Sequence, residues 1–174
     1  MNYLISFPRS GNTMTRYLFE LMTKKPTNGL CGEPNPKDTL QAPLLHKGSD
    51  YCLHKRHDFK GVTEQDFVMF VIRHPLEATI RHNEKIRGIS ETQMYKYLDS
   101  WFDLLYQYDE FKGNKMCLYY SEILPIASKD SRQLYSDAQS HGTEWHRLKL
   151  PNDVRERLQA YMEIEHGYLY NKYL

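Results

Sequence analysis

Near the start of the chain, Tyr3-Leu4-Ile5-Ser6-Phe7 runs directly into Pro8-Arg9-Ser10-Gly11-Asn12-Thr13. A short apolar run of strand length thus leads into a turn of small and polar residues carrying one arginine. When a helix follows such a turn, backbone N–H groups and the positive end of the helix dipole converge on one point, which suits a phosphate. The ATP-binding pattern of Gly, four residues, then Gly-Lys-Ser/Thr fits this segment in part. Gly11 and Thr13 hold the second glycine and hydroxyl positions, but Ser6 stands for the first glycine and Asn12 for the lysine that reaches the terminal phosphates. The cation is Arg9 instead. The segment therefore reads as an anion cradle without the ATPase lysine.

Two further segments carry chemistry. Phe67-Val68-Met69-Phe70-Val71-Ile72 ends in Arg73-His74-Pro75, where a nucleotide triphosphatase needs an acidic residue to help hold Mg²⁺. An arginine there offers paired donors to a phosphate and repels a metal cation. The expected ligand is a nucleotide with two separated phosphate groups, bound without Mg²⁺. Between the two loops, Leu53-His54-Lys55-Arg56-His57-Asp58 supplies a cation and, two residues on, an imidazole able to take a proton near neutral pH. His54 is the rival to His57 for that role. His46, Cys52, His54 and His57 are also metal-ligating types, but their spacing matches no closed zinc pattern.

The elements that must position these residues follow from hydrophobic periodicity. Tyr3 to Phe7 reads as a strand, and Met14, Tyr17, Leu18, Leu21 and Met22 form the stripe of a helix packed on a sheet. Phe67 to Ile72 is the continuous apolar run of a strand buried on both faces. Pro75 can open a helix, and Met94, Leu98, Trp101, Leu105 and Tyr108 recur at steps of four and three along another. Lys115 to Tyr120 reads as a short strand, and Val154, Leu158, Tyr161 and Met162 as a final helix that follows Pro151 and ends near Gly167. Lys25 to Gly48, with Pro26, Pro34, Pro36 and Pro43, reads as an irregular excursion. Alternating strands and helices predict an α/β fold: one domain over residues 1–174, with a central parallel sheet flanked by helices in the manner of the P-loop NTPases.

Composition bounds the rest. With 23 Lys and Arg against 22 Asp and Glu in 174 residues, the net charge is +1, so no global field draws nucleic acid or an anionic membrane, and any anion site must be built locally. No apolar run reaches the roughly 20 residues of a membrane span, and Met1 to Phe7 is short for a signal peptide. Three cysteines, Cys31, Cys52 and Cys117, lack CxxC spacing and read as reduced thiols. The expected setting is cytoplasmic, with neither nucleic acid nor membrane as partner.

Taken in order, the motifs resemble the sulfotransferases that use 3′-phosphoadenosine 5′-phosphosulfate (PAPS) as donor. Phe7-Pro8-Arg9-Ser10-Gly11-Asn12-Thr13 is similar to the family's 5′-phosphosulfate loop, Y/F-P-K/R-S-G-T/N-T. Phe70-Val71-Ile72-Arg73-His74-Pro75 is similar to its 3′-phosphate element, and Lys55-Arg56-His57 to its K-T-H segment. Tyr120-Ser121-Glu122-Ile123 resembles Y-E-D-L, and Gly142 to Trp145 resembles the later G-x-x-W element. The resemblance implies catalytic roles for His57 as general base and for Lys55 and Arg9 as cations. It implies donor binding by Arg9, Ser10, Gly11, Asn12, Thr13, Met14, Arg73, Arg81 and Tyr120. Met14 stands where many members have tryptophan, Arg81 where they have serine, and Ser140-His141 where cytosolic members have R-K. The implied reaction moves a sulfuryl group from PAPS to a hydroxyl or amine of a small-molecule or saccharide acceptor. It leaves 3′-phosphoadenosine 5′-phosphate and requires no metal. A diverged P-loop small-molecule kinase and a non-catalytic nucleotide-binding module are the alternatives. The acceptor's identity and the choice between monomer and homodimer stay open.

Overall fold

Val68, Met69, Phe70, Val71 and Ile72 point apolar side chains to both sides of one strand, and all five are buried. Such a strand is stable inside a sheet covered on both faces. In the computed structural model, which describes residues 1–29, 45–46, 48–84, 90–123 and 150–174, the strands are β1 (Asn2–Ile5), β2 (Thr27–Asn28), β3 (Leu53–Arg56), β4 (Phe67–Ile72) and β5 (Asn114–Tyr119). They form a five-stranded sheet in the order β2-β3-β1-β4-β5, with every neighbouring pair parallel. The helices are α1 (Asn12–Thr23), α2 (Pro75–Glu84), α3 (Glu91–Glu110), α4 (Asn152–Glu165) and α5 (Gly167–Tyr173). This is the α/β architecture that the alternation of elements predicts. No helix among the described residues is long and apolar enough to cross a membrane.

The chain divides into two compact units, Met1–Arg73 with Glu110–Ala127, and His74–Asp109 with Ser128–Leu174. The first contains the whole sheet and α1. Its core gathers Leu4, Leu18, Leu53, Met69, Val71 and Ile123, with Met14, Phe19 and Leu118 packed against them, so α1 covers one face of the sheet. The buried side of α1 differs from the expected stripe. Leu18 is buried, but Met22 is 75% exposed, while Arg16 and Glu20 are fully buried. Arg16 Nε donates to Thr27 Oγ1 at 2.9 Å, and the Thr27 N–H donates to Glu20 Oε1 at 2.9 Å. The second Glu20 oxygen accepts from the backbone N–H of Leu45 and of His46. Burial lowers the Arg16 pKa and the nearby Glu20 carboxylate opposes that shift, which is how a buried charge is tolerated. The polar knot also fastens β2, a two-residue strand inside what reads as irregular chain, to α1.

The second unit is helical among its described residues. α3 buries Met94, Leu98, Trp101, Phe102, Leu104, Leu105 and Tyr108, the stripe its periodicity predicts and two neighbours. The ring of His166 stacks on Phe102 at 4.1 Å, and Asp99 Oδ1 accepts from Tyr161 Oη at 2.6 Å and lies 3.2 Å from His166 Nε2. The bond to Asp99 is the main cause raising the Tyr161 pKa to about 12. His166 thus breaks the terminal helix, and α5 begins at Gly167 where a helix end is expected. His82 on α2 meets Tyr97 of α3 edge-on at 5.0 Å.

Removing one of two neighbouring buried charges of opposite sign strands the other, at a cost of about 3 kcal/mol or more. Glu20→Ala should therefore lower the unfolding free energy by that order, measured by urea titration. Arg16→Met combined with Glu20→Leu should cost less than the two single substitutions added together, because no charge is then left buried.

Candidate functional site

In an open parallel sheet a ligand crevice forms outside the carboxyl ends of two neighbouring strands whose onward connections run in opposite directions. Here β1 leads toward β2 on one side and β4 toward β5 on the other, so the crevice lies between the ends of β1 and β4. The segments found there are Ser6 to Gly11 and Arg73.

The first of these is an anion cradle by backbone geometry. Pro8 holds a negative φ, Arg9 has φ +68°, Ser10 returns to negative values and Gly11 has φ +93°. A backbone alternating in this way turns successive N–H groups toward one side. The Ser10 N–H donates to the Phe7 carbonyl at 3.2 Å, closing a turn of the type II pattern that has proline second and a left-handed residue third. That third position favours glycine, and an arginine there bears roughly 1–2 kcal/mol of strain. Gly11 is the N-cap of α1, without a side-chain cap and without an acidic residue in the first turn. The first N–H groups of the helix, at Asn12, Thr13 and Met14, have no intrahelical acceptor. The Ser10 hydroxyl is buried and has no hydrogen-bond partner among the described residues. Donors, dipole and the exposed Arg9 side chain are the features an anion site needs.

Arg73 and Tyr120 hold the loop from the β4 and β5 side. Arg73 is 5% exposed. Its Nη1 donates to the Arg9 carbonyl at 3.2 Å, and its guanidinium lies 4.2 Å from the Tyr120 ring centre. The Tyr120 ring lies in turn so close to Gly11 that a Cβ there would sit 2.5 Å from a ring carbon. Gly11 is therefore required twice, for its positive φ and for the ring beside it. Tyr120 opens the helical residues 120–123 just after β5.

Lys55 and His57 approach from β3. Leu4 pairs with Lys55, and Leu53 shares the α1-side core with Leu4. Since side chains alternate along a strand, Lys55 also lies on the α1 side. His57 stands one residue beyond the Ile5–Arg56 pair, and its Nδ1 is 2.6 Å from the Ser6 carbonyl oxygen. A carbonyl only accepts, so Nδ1 carries the proton, and in the neutral ring Nε2 is the basic nitrogen. His54 has the opposite environment. It lies 6.1 Å from the Tyr3 ring and 5.6 Å from the Tyr51 ring. Burial, and secondly the terminal amine, lower its pKa.

The first unit thus brings together Arg9, Ser10, Gly11, Asn12, Thr13, Lys55, His57, Arg73 and Tyr120. Met14 packs against the core of that unit. Arg81 belongs to the second unit, in the last turn of α2, where its charge complements the helix dipole. Ser140, His141, Gly142 and Trp145 lie outside the described residues. Sequence reasoning did not include Ser6 among the site residues, although its carbonyl and hydroxyl both meet site side chains. Its position directly before the loop was the available signal.

Two substitutions probe the loop. Arg9→Gly should raise stability by about 1 kcal/mol through relief of the left-handed strain while weakening anion binding, a pairing visible when urea unfolding and phosphate titration are measured on one protein. Gly11→Ala should destabilise the fold by about 2 kcal/mol, and Tyr120→Ala added to it should recover part of that loss by removing the ring the new Cβ meets. No protein-family model and no curated protein sequence matches the chain, so the functional reading rests on the geometry of this loop and the strands beside it.

Proposed function

We propose that the chain is a sulfotransferase that takes a sulfuryl group from PAPS and passes it to a hydroxyl or amine of a small-molecule or saccharide acceptor. The observation that carries this reading is the bond from His57 Nδ1 to the Ser6 carbonyl. It ties an imidazole with a basic Nε2 to the rim of an anion cradle. A kinase loop would need a lysine where Asn12 stands and an acid where Arg73 stands.

In the proposed reaction the acceptor oxygen attacks sulfur while its proton passes to His57 Nε2. The bond between sulfur and the bridging oxygen of the 5′-phosphate breaks, and its electron pair leaves with 3′-phosphoadenosine 5′-phosphate. Charge develops on that bridging oxygen, so catalysis calls for cations there, a role that fits Arg9 and Lys55. Ser10, Gly11, Asn12 and Thr13 would hold the 5′-phosphate through backbone and hydroxyl donors. Arg73 would hold the 3′-phosphate. Tyr120, whose ring centre lies 4.2 Å from the Arg73 guanidinium, would help hold Arg73 in place.

A ligand that binds only the folded state raises the melting temperature. In EDTA, 3′-phosphoadenosine 5′-phosphate should raise it more than 5′-AMP does, and Arg73→Ala should erase the difference. Equal shifts for the two nucleotides in the unmutated protein would remove the 3′-phosphate assignment, and a shift seen only with ATP and Mg²⁺ would favour a kinase. In turnover assays His57→Ala should cost about a hundredfold or more, the usual worth of a positioned base, while nucleotide affinity changes little. His54→Ala should leave turnover near that of the unmutated protein.

A further inference from the structure

The two positions at which the first loop departs from the ATP-binding pattern are bonded to each other. Asn12 Nδ2 lies 3.0 Å from Ser6 Oγ, and both side chains are buried. The side chain at the lysine position therefore turns back to the end of β1. Ser6 is also the residue whose carbonyl accepts the Nδ1 proton of His57. Its own N–H reaches the Arg56 carbonyl only at 3.4 Å, longer than a good backbone hydrogen bond. The strand ladder therefore holds Ser6 loosely, and the bond from Asn12 to its side chain is a second hold on the residue whose carbonyl His57 meets.

We propose that Ser6 and Asn12 are positioning residues for the base. By fixing the Ser6 carbonyl they hold His57 as the Nδ1–H tautomer, with Nε2 basic and the ring plane set. An unconstrained histidine favours the opposite tautomer in water, so the preference must be imposed by a neighbour. The anion loop and the base then share one rigid joint: the helix that begins at Asn12 offers donors to a phosphate with its first turn and, through Ser6, orients the imidazole. The kinetic part of this inference rests on the proposed sulfuryl transfer, whereas the tautomer does not.

The test reads the tautomer directly. The full chain, labelled with ¹⁵N in its histidine rings, is examined by NMR above the imidazole pKa without nucleotide, with the His57 signals assigned by their loss in His57→Ala. The unmutated protein should show a protonated Nδ1 and a bare Nε2. In Ser6→Ala and Asn12→Ala the populations should move toward Nε2–H. Asn12→Asp should retain the Nδ1–H form, because the Ser6 hydroxyl can donate to the new carboxylate. It also provides a measurement if either alanine variant fails to fold. In turnover, Ser6→Ala should lower kcat about tenfold or more, as misplacing a reacting group does, with the pH profile displaced and the donor KM changed less. A His57 that keeps Nδ1–H in both alanine variants, or loses it in Asn12→Asp, overturns the proposal. So does a loss of stability with tautomer and pH profile unmoved. If the tautomer follows the expected pattern but the unmutated protein transfers no sulfuryl group, the joint stands and the proposed reaction falls.

Discussion

A buried parallel strand must be turned into a helix within six residues. β1 ends at Ile5, which is fully buried, and α1 begins at Asn12. The chain meets this constraint with two left-handed residues, Arg9 and Gly11, spaced by one of ordinary handedness. The alternation that reverses the chain also collects N–H groups on one side, so the reversal and the proposed anion site come from the same backbone geometry. Three neighbouring contacts hold that conformation. Arg73 takes the Arg9 carbonyl, the Tyr120 ring occupies the space that a Gly11 side chain would need, and Ser6 anchors the loop's start to Asn12. Strain of this kind persists only where neighbours over-determine it, and here they come from β4, the turn after β5, and α1.

The cations sit in different dielectric surroundings, which separates their roles. Arg9 is exposed and Arg73 nearly sealed. An exposed guanidinium is screened by solvent and held loosely in space, so its contribution to binding falls with ionic strength. A buried one lying over an aromatic ring and bonded to the backbone is held in place before any ligand arrives. In the proposed site, one cation would attract the ligand and the other would orient it.

Much of the fold could be read from the chain because the relevant signals are local. Phe67 to Ile72 is apolar at every position, and the steps between Met94 and Tyr108 match one helical face, so the strand and the long helix emerge where periodicity places them. Local signals failed where tertiary partners override them. Met22 belongs to the apolar stripe of α1 yet is exposed, because Arg16 and Glu20 take the buried side and satisfy each other through Thr27. β2 is two residues long and carries no period. The break at His166 depends on Phe102 and Asp99, more than sixty residues away. In the candidate site, residue types and order pointed to Arg9, Gly11, His57 and Arg73. The links among them, Ser6 to Asn12 and Arg73 to Tyr120, are pair geometries that no single position announces.

The Glu20 carboxylate has one more consequence. Together with the bond from the Cys52 N–H to the Pro26 carbonyl at 3.0 Å and the Lys25–Asp50 ion pair at 2.8 Å, its grip on Leu45 and His46 pins both ends of the stretch between β2 and β3. Once the ends of a connection are fixed by groups outside it, its length becomes thermodynamically cheap: doubling a flexible connection costs only about 0.6 kcal/mol in closure entropy. Residues can then be inserted, deleted or exchanged between the pinned ends while the register of β3, and with it Lys55 and His57, is preserved. A buried glutamate on the first helix thus uncouples the register of β3 from the length of the chain that precedes it.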